Sequence, residues 1–188
     1  MKQIVVIFLC LFATTIQSKE GHHKKRHHKA HEHGSGKLNL ATDGNKLVIK
    51  IEAPANDIVG FEHKPSTKEQ RNKINSAIKF LKVASSNLQL PRASGCKPEG
   101  SSKIKAKMAE GEHEEGHEEE GHHKDEEHSE FHISYTFTCS NIESLNYVKV
   151  LSFKKFKGMK KLKAQGVTKT GQFSKTLNSK SPQFDLRK

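Results

Sequence analysis

Thirteen histidines in 188 residues are unusual, and twelve of them fall in two stretches. The first holds His22, His23, His27, His28, His31 and His33. The second holds His113, His117, His122, His123, His128 and His132, and His63 stands alone between them. Neutral imidazole is the commonest biological ligand for zinc and also suits copper and nickel. A four-coordinate zinc needs three or four such groups to converge. Flexible clusters supply them without a preformed cage, at an ordering cost that favours modest affinity and several exchangeable ions.

Most of the second stretch sits in a near-repeat of five residues, with glycine at positions 111, 116 and 121. Glycine at that frequency opposes a stable helix, so residues 110–128 are expected to form a disordered His/Glu-rich loop. The loop carries ten acids, five histidines and one lysine, a charge of −9. Its carboxylates concentrate divalent cations and raise the pKa of neighbouring imidazoles, so protons compete with metal as pH falls toward 6. The plainer reading is a solvated charged insertion whose histidines are incidental.

Ligands on ordered backbone are the sharper candidates. His31 and His33 form an H-x-H pair that, in an extended segment, points to one face. His128, Glu130 and His132 alternate in the same way. His63 follows Val59-Gly60-Phe61 and precedes Pro65, a rigid setting for one imidazole. These three segments predict a structured metal site from His31, His33, His63, His128 and His132. The loop histidines His113, His117, His122 and His123 add weaker ligands, and His22, His23, His27 and His28 add secondary ones. The competing reading makes His63 and His132 hydrogen-bonded structural residues. An H-x-H pair with a third histidine also builds catalytic zinc sites. Yet no phosphate-binding glycine motif, nucleophile elbow or H-E-x-x-H is present, so no catalysis is expected.

The elements that must position these groups begin with an export signal. Lys2 is followed by an apolar run over residues 4–13 and by small and polar residues to Ser18. That order reads as a secretory signal over residues 1–18, too short to span a bilayer. Cys10 leaves with it, and Leu9 stands where a lipidated cysteine needs a small residue. A periplasmic chain follows, without an integral membrane segment. The whole-chain charge of +12 includes the acidic loop, which leaves about +20 for the rest of the mature chain. A pI near 9.6 would ordinarily raise nucleic-acid binding. Export argues against that partner and leaves solubility, or attraction to anionic membrane surfaces, as the use of the basic charge.

Two cysteines remain, Cys96 and Cys139. An even pair in an oxidising compartment favours a disulfide. Two zinc thiolates are the alternative, but the close C-x-x-C spacing is missing. If the acidic loop caps a hairpin, pairing Cys96 with Cys139 also places Ile104 opposite Phe131, so that both strands turn apolar residues the same way.

Residues 19–36 read as a flexible His/Lys-rich arm, and residues 37–188 as a single metal-binding domain carrying the loop. Leu38 and Leu40, the turn at Asp43-Gly44, then Leu47, Ile49 and Ile51 spell a β-hairpin. Pro65 leads into Ser66-x-x-Glu69, a capping box, and Ile74, Ala77, Ile78 and Leu81 follow at helical spacing. Ile104, Ala106 and Met108 alternate before the loop, and Phe131, Ile133, Tyr135 and Phe137 after it. Ser140-x-x-Glu143 marks a short helix. Residues 147–153 and 162–168 read as strands, and Thr170-Gly171 turns into residues 172–177. The sum is α+β: an antiparallel sheet with one main amphipathic helix packed on a face.

The chain also resembles the ZrgA-like periplasmic zinc-binding proteins. The resemblance rests on His31-Glu32-His33-Gly34, Leu38-Asn39-Leu40-Ala41, Asp43-Gly44, Glu52-Ala53-Pro54-Ala55 and Ile58-Val59-Gly60-Phe61-Glu62-His63 with Pro65-Ser66-Thr67. Gly95-Cys96, the His/acid insertion, Tyr135-Thr136-Phe137-Thr138-Cys139, Phe153 to Phe156, Ala164-Gln165 and Thr170-Gly171-Gln172 extend it over nearly all of the chain from His31 onward. It implies periplasmic zinc binding in support of uptake, beside an ABC-type zinc importer and its solute-binding protein. By position, His31, His33 and His63 match the family's recurrent histidines.

Overall fold

Alternating apolar residues build most of the chain into strands, because period-two burial suits a sheet with one covered face. The computed structural model describes residues 32–108 and 129–187. The export signal, the arm up to and including His31, and the insertion with His113, His117, His122, His123 and His128 lie outside the described residues. The elements in chain order are β1 (Ser35–Asp43), β2 (Lys46–Pro54), α1 (Ala55–Val59), α2 (Lys68–Leu81), α3 (Ala84–Asn87) and β3 (Leu88–Gln89). They continue with β4 (Cys96–Pro98), β5 (Lys103–Lys107), β6 (Glu130–Cys139), β7 (Tyr147–Val150), β8 (Lys161–Thr168), β9 (Gly171–Asn178) and β10 (Gln183–Asp185).

Seven strands form one sheet in the order β4-β6-β2-β1-β8-β9, with β5 on the same edge of β6 as β4; β10-β7-β3 form a second, smaller sheet. The first hairpin has Asp43 opposite Lys46, so Gly44 and Asn45 make the turn. Gly44 takes a positive φ of 54°, which glycine adopts without a Cβ clash. In register across β1, β2 and β6, Leu38 faces Ile51 and Ile133, and Leu40 faces Ile49 and Tyr135. All six are buried and form the centre of the core. Fully burying one such side chain is worth roughly 1.5–3 kcal/mol.

Helix α2 covers that apolar face with Ile74, Ala77 and Leu81, and the Tyr135 hydroxyl donates to the Leu81 carbonyl at 2.8 Å. Its capping box lies one residue later than the sequence pattern indicated. Thr67 is the N-cap and Gln70 its reciprocal partner; the Gln70 amide oxygen also accepts from the Ser66 backbone and hydroxyl. Similarly, the turn after β6 is a 3-10 helix, Ile142–Ser144, entered from Asn141 without a side-chain cap.

The cysteines pair. Cys96 lies opposite Cys139 in the β4–β6 ladder, and the two sulfurs are bonded. The expected partner of Ile104 is corrected, however. Ile104 faces Ile133, and Ala106 faces Phe131. Between β4 and β5 the chain turns through Glu99 to Ser102, with Gly100 at φ 66°, and the register slips by two residues. A slip of two preserves the face where a slip of one would reverse it, so the apolar alternation survives.

Two further differences have tertiary causes. The sheet is antiparallel except for β1 and β8, which run parallel with Leu38 beside Ala164; a parallel pair needs a long crossover that local pattern does not announce. The strand expected over residues 147–153 stops at Val150, because Leu151 donates to the Asn87 carbonyl at 2.7 Å. Asn87 is fully buried. Its amide donates to the Val83 and Phe80 carbonyls, and its side-chain oxygen accepts from the Ser152 hydroxyl.

Candidate metal centre

Four segments meet beyond the start of β1. Strand β2 ends in Pro54 and runs directly into α1, where the Ala55 N–H donates to the Ser129 carbonyl at 2.9 Å. Asp57 of α1 is buried, and its Oδ1 accepts the Gly34 N–H at 2.8 Å. The Gly34 carbonyl in turn accepts from the N–H groups of Lys160 and Lys161 at 3.1 and 2.8 Å. Gly158 presses on the same helix: a Cβ there would stand 2.6 Å from the Asp57 carbonyl oxygen. The Ser129 hydroxyl donates to the Glu62 carbonyl, tying the start of β6 to the chain after α1.

This scaffold sets His33 against Glu62, with Nε2 3.0 Å from Oε1; the two side chains are 62% and 40% exposed. Zinc bonds of 2.0–2.1 Å at a tetrahedral angle separate two donor atoms by roughly 3.3 Å. The 3.0 Å contact is the length of a hydrogen-bonded ion pair, so one ion shared by the two donors requires them to part by a few tenths of an ångström. Glu62 was not among the residues singled out from the sequence, and neither was Asp57. An acid beside His63 was the available signal for Glu62, whereas Asp57 gave none.

Burial raises the pKa of the Asp57 carboxyl, opposed chiefly by the Gly34 N–H and then by the charges of His33 and Lys160. Its Oδ2 is buried without a hydrogen-bond partner among the described residues. A desolvated carboxylate with an orphaned oxygen has an electrostatic deficit that a nearby cation offsets.

His63 sits next in the chain to Glu62. Its ring lies 5.1 Å from the Phe61 ring, and Nδ1–H donates to the Lys64 carbonyl at 2.9 Å. That bond assigns the tautomer whose lone pair is on Nε2, as a metal-ligating histidine requires. The Gln70 amide approaches Nε2 at 3.4 Å. His132 is placed differently. Its Nε2 lies 3.0 Å from Glu130 Oε2, and it stands between Glu52 and Lys105 on the outer face of the sheet.

The structure thus brings His33 to Glu62 but does not gather His33, His63 and His132 into one centre. Among the described residues no three His, Cys, Asp or Glu side chains converge closely enough to hold a metal. An open cleft of about 490 Å³ lies elsewhere, at the hairpin end of the sheet, lined by residues such as Thr42, Glu143, Lys169 and Arg187. It contains no histidine. No helix among the described residues is long and apolar enough to cross a membrane.

The described residues thus form an α+β sheet protein with an exposed imidazole–carboxylate pair beside a buried carboxyl. The chain belongs to the ZrgA family of zinc uptake proteins, whose family model matches residues 30–186. That family is not known as one of enzymes. No curated protein matches the chain.

Proposed function

We propose that this protein captures zinc in the periplasm and hands it toward import, at a site nucleated by His33 and Glu62. The single observation that carries the reading is the 3.0 Å approach of His33 Nε2 to Glu62 Oε1 on a rigidly tied turn. Two donors do not hold zinc alone. His31 precedes His33 by two residues, and His128 immediately precedes Ser129, whose hydroxyl holds Glu62. Both are tethered to this pair by the chain, and His63 is adjacent to Glu62 with its Nε2 lone pair available. These histidines complete the coordination, and Asp57 supplies negative potential behind it.

His113, His117, His122 and His123 of the insertion, with its ten acids, act as a weaker collecting set. His132 and the arm histidines His22, His23, His27 and His28 are secondary. In this reading residues 1–18 export the chain, 19–36 form the arm, and 37–188 form the metal-binding domain. An ABC-type zinc importer, or its solute-binding protein, takes the ion. Copper and nickel compete for the same nitrogens, because imidazole affinity follows the usual transition-metal order.

Calorimetric zinc titration of three proteins tests the proposal: intact, residues 110–128 deleted, and His31, His33 and His63 replaced by Ala. Several weak sites should vanish with the deletion, and one or two tighter ones with the point changes. Equal, weak, nonstoichiometric binding in all three would exclude an ordered site.

A further inference from the structure

Period-two alternation that buries one face of the seven-stranded sheet turns the other outward, and that outer face is lysine-rich. Register places Lys105, His132, Glu52, Lys37 and Lys163 in one row across β5, β6, β2, β1 and β8. The next row reads Lys103, Ser134, Lys50, Asn39 and Gln165. Lys107 and Lys161 extend the face at one end, and Lys46 and Lys97 at the other. Nine lysines therefore share one face with three strand carboxylates, Asp43, Glu52 and Glu130.

Lys37, Lys46 and Lys161 are paired with Glu52, Glu99 and Glu32. Lys50, Lys97, Lys103, Lys105, Lys107 and Lys163 are exposed, with no ion-pair partner among the described residues. Five inter-strand spacings from β5 to β9 make this surface roughly 24 Å across.

The chemistry of the face selects its partner. Protein interfaces are anchored by buried aromatic and arginine side chains and are depleted in lysine. Single-stranded nucleic acid is held on aromatic stacking platforms, and bases are read by bidentate arginine. This face carries no Phe, Tyr or Arg on its paired positions; its long flexible ammonium groups stand among Ser, Thr, Asn and Gln, with His132, the three carboxylates and the small apolar residues Ala41, Val48 and Val167. Such groups attract a surface whose charges rearrange to meet them. We propose that the outer face of the seven-stranded sheet docks electrostatically on anionic lipid headgroups. The argument is independent of which residues bind zinc.

Vesicle co-sedimentation of the full chain tests this, with zwitterionic phosphatidylcholine vesicles against vesicles containing 30% phosphatidylglycerol at 0.1 M salt. Anionic vesicles should bind at least tenfold more tightly, and 0.5 M salt should abolish the difference. Reversing Lys50, Lys103, Lys105 and Lys163 to Glu should lower binding at least tenfold. Reversing Lys68, Lys73, Lys79 and Lys180, which lie off this face, should lower it less than threefold. Thermal melts establish that both variants fold, and the quadruple Lys→Gln change on the face gives a milder second variant with the same expected direction. Equal losses from the two sets would reduce the effect to net charge and overturn the proposal. So would vesicle binding that appears only after residues 110–128 are removed, because the acidic insertion would then be the occupant. Face-dependent binding of single-stranded DNA in preference to vesicles would reassign the surface and also overturn it.

Discussion

His33 and Glu62 are neighbours only because Asp57 accepts the Gly34 N–H and the Ser129 hydroxyl holds the Glu62 carbonyl. The consequences are testable one side chain at a time. Glu62→Gln keeps size but removes the charged donor, and should weaken zinc binding by at least about 10-fold, no less than the loss seen for carboxylates that merely support a ligating histidine. Calorimetry reads this directly, and unchanged affinity would dismiss Glu62. Asp57 offers a pH test. Its carboxyl pKa is raised, chiefly by burial, so the folded state holds the proton more tightly than the unfolded chain does. That contribution is complete in acid below the ordinary carboxylate range and is lost as pH rises through the raised value. Asp57→Asn should therefore match the wild type within about 1 kcal/mol near pH 4 and become the more stable of the two as pH rises toward 7. Asp57→Ala, which deletes the acceptor for Gly34, should cost about 1–3 kcal/mol. Urea midpoints at both pH values measure both.

Among the elements, α1 is the one that matters most for the site and the one that local pattern concealed. Five residues following Pro54 offer no helical period, and the helix exists because Ala55 and Asp57 find partners at Ser129, just before β6, and on the turn before β1. Gly158 allows α1 to come that close. Gly158→Ala would force its Cβ against the Asp57 backbone, destabilising the fold by about 1–3 kcal/mol and weakening zinc binding together. A variant with full affinity would show that the position of α1 is unimportant. The β1–β2 hairpin and α2 were legible because alternation over nine residues and a four-turn helical period each exceed chance. The capping box was displaced by one residue because Thr67 and Gln70 satisfy the same chemistry as Ser66 and Glu69, and only backbone geometry chooses between them. Likewise, a two-residue register slip at Glu99 to Ser102 leaves the hydrophobic pattern unchanged, so pattern alone does not detect it.

At the scale of the molecule, the Cys96–Cys139 bridge closes a long loop that contains the acidic insertion, its ends 43 positions apart in the chain. Replacing both cysteines by Ser should cost about 4 kcal/mol in the chain-entropy model. The difference in urea midpoint between oxidised wild type and the double variant measures it. No difference would show that the sheet alone closes the loop. Under the proposed function, membrane docking through the lysine face would keep the protein beside an importer embedded in the same bilayer.

Residue order by itself determined what is local: which types of ligand are present, the hairpin and main helix, the pairing of the two cysteines, and the α+β class. It also carried the family membership, through short motifs spread over nearly the whole chain. Tertiary structure alone decided that β1 and β8 run parallel, that His33 meets Glu62 while His132 stands on the outer face of the sheet between Glu52 and Lys105, and that nine lysines from separate strands share one surface. Alternation tells a strand which of its faces to bury. It does not tell the strand beside which neighbour it will lie, and every one of those outcomes depends on that choice.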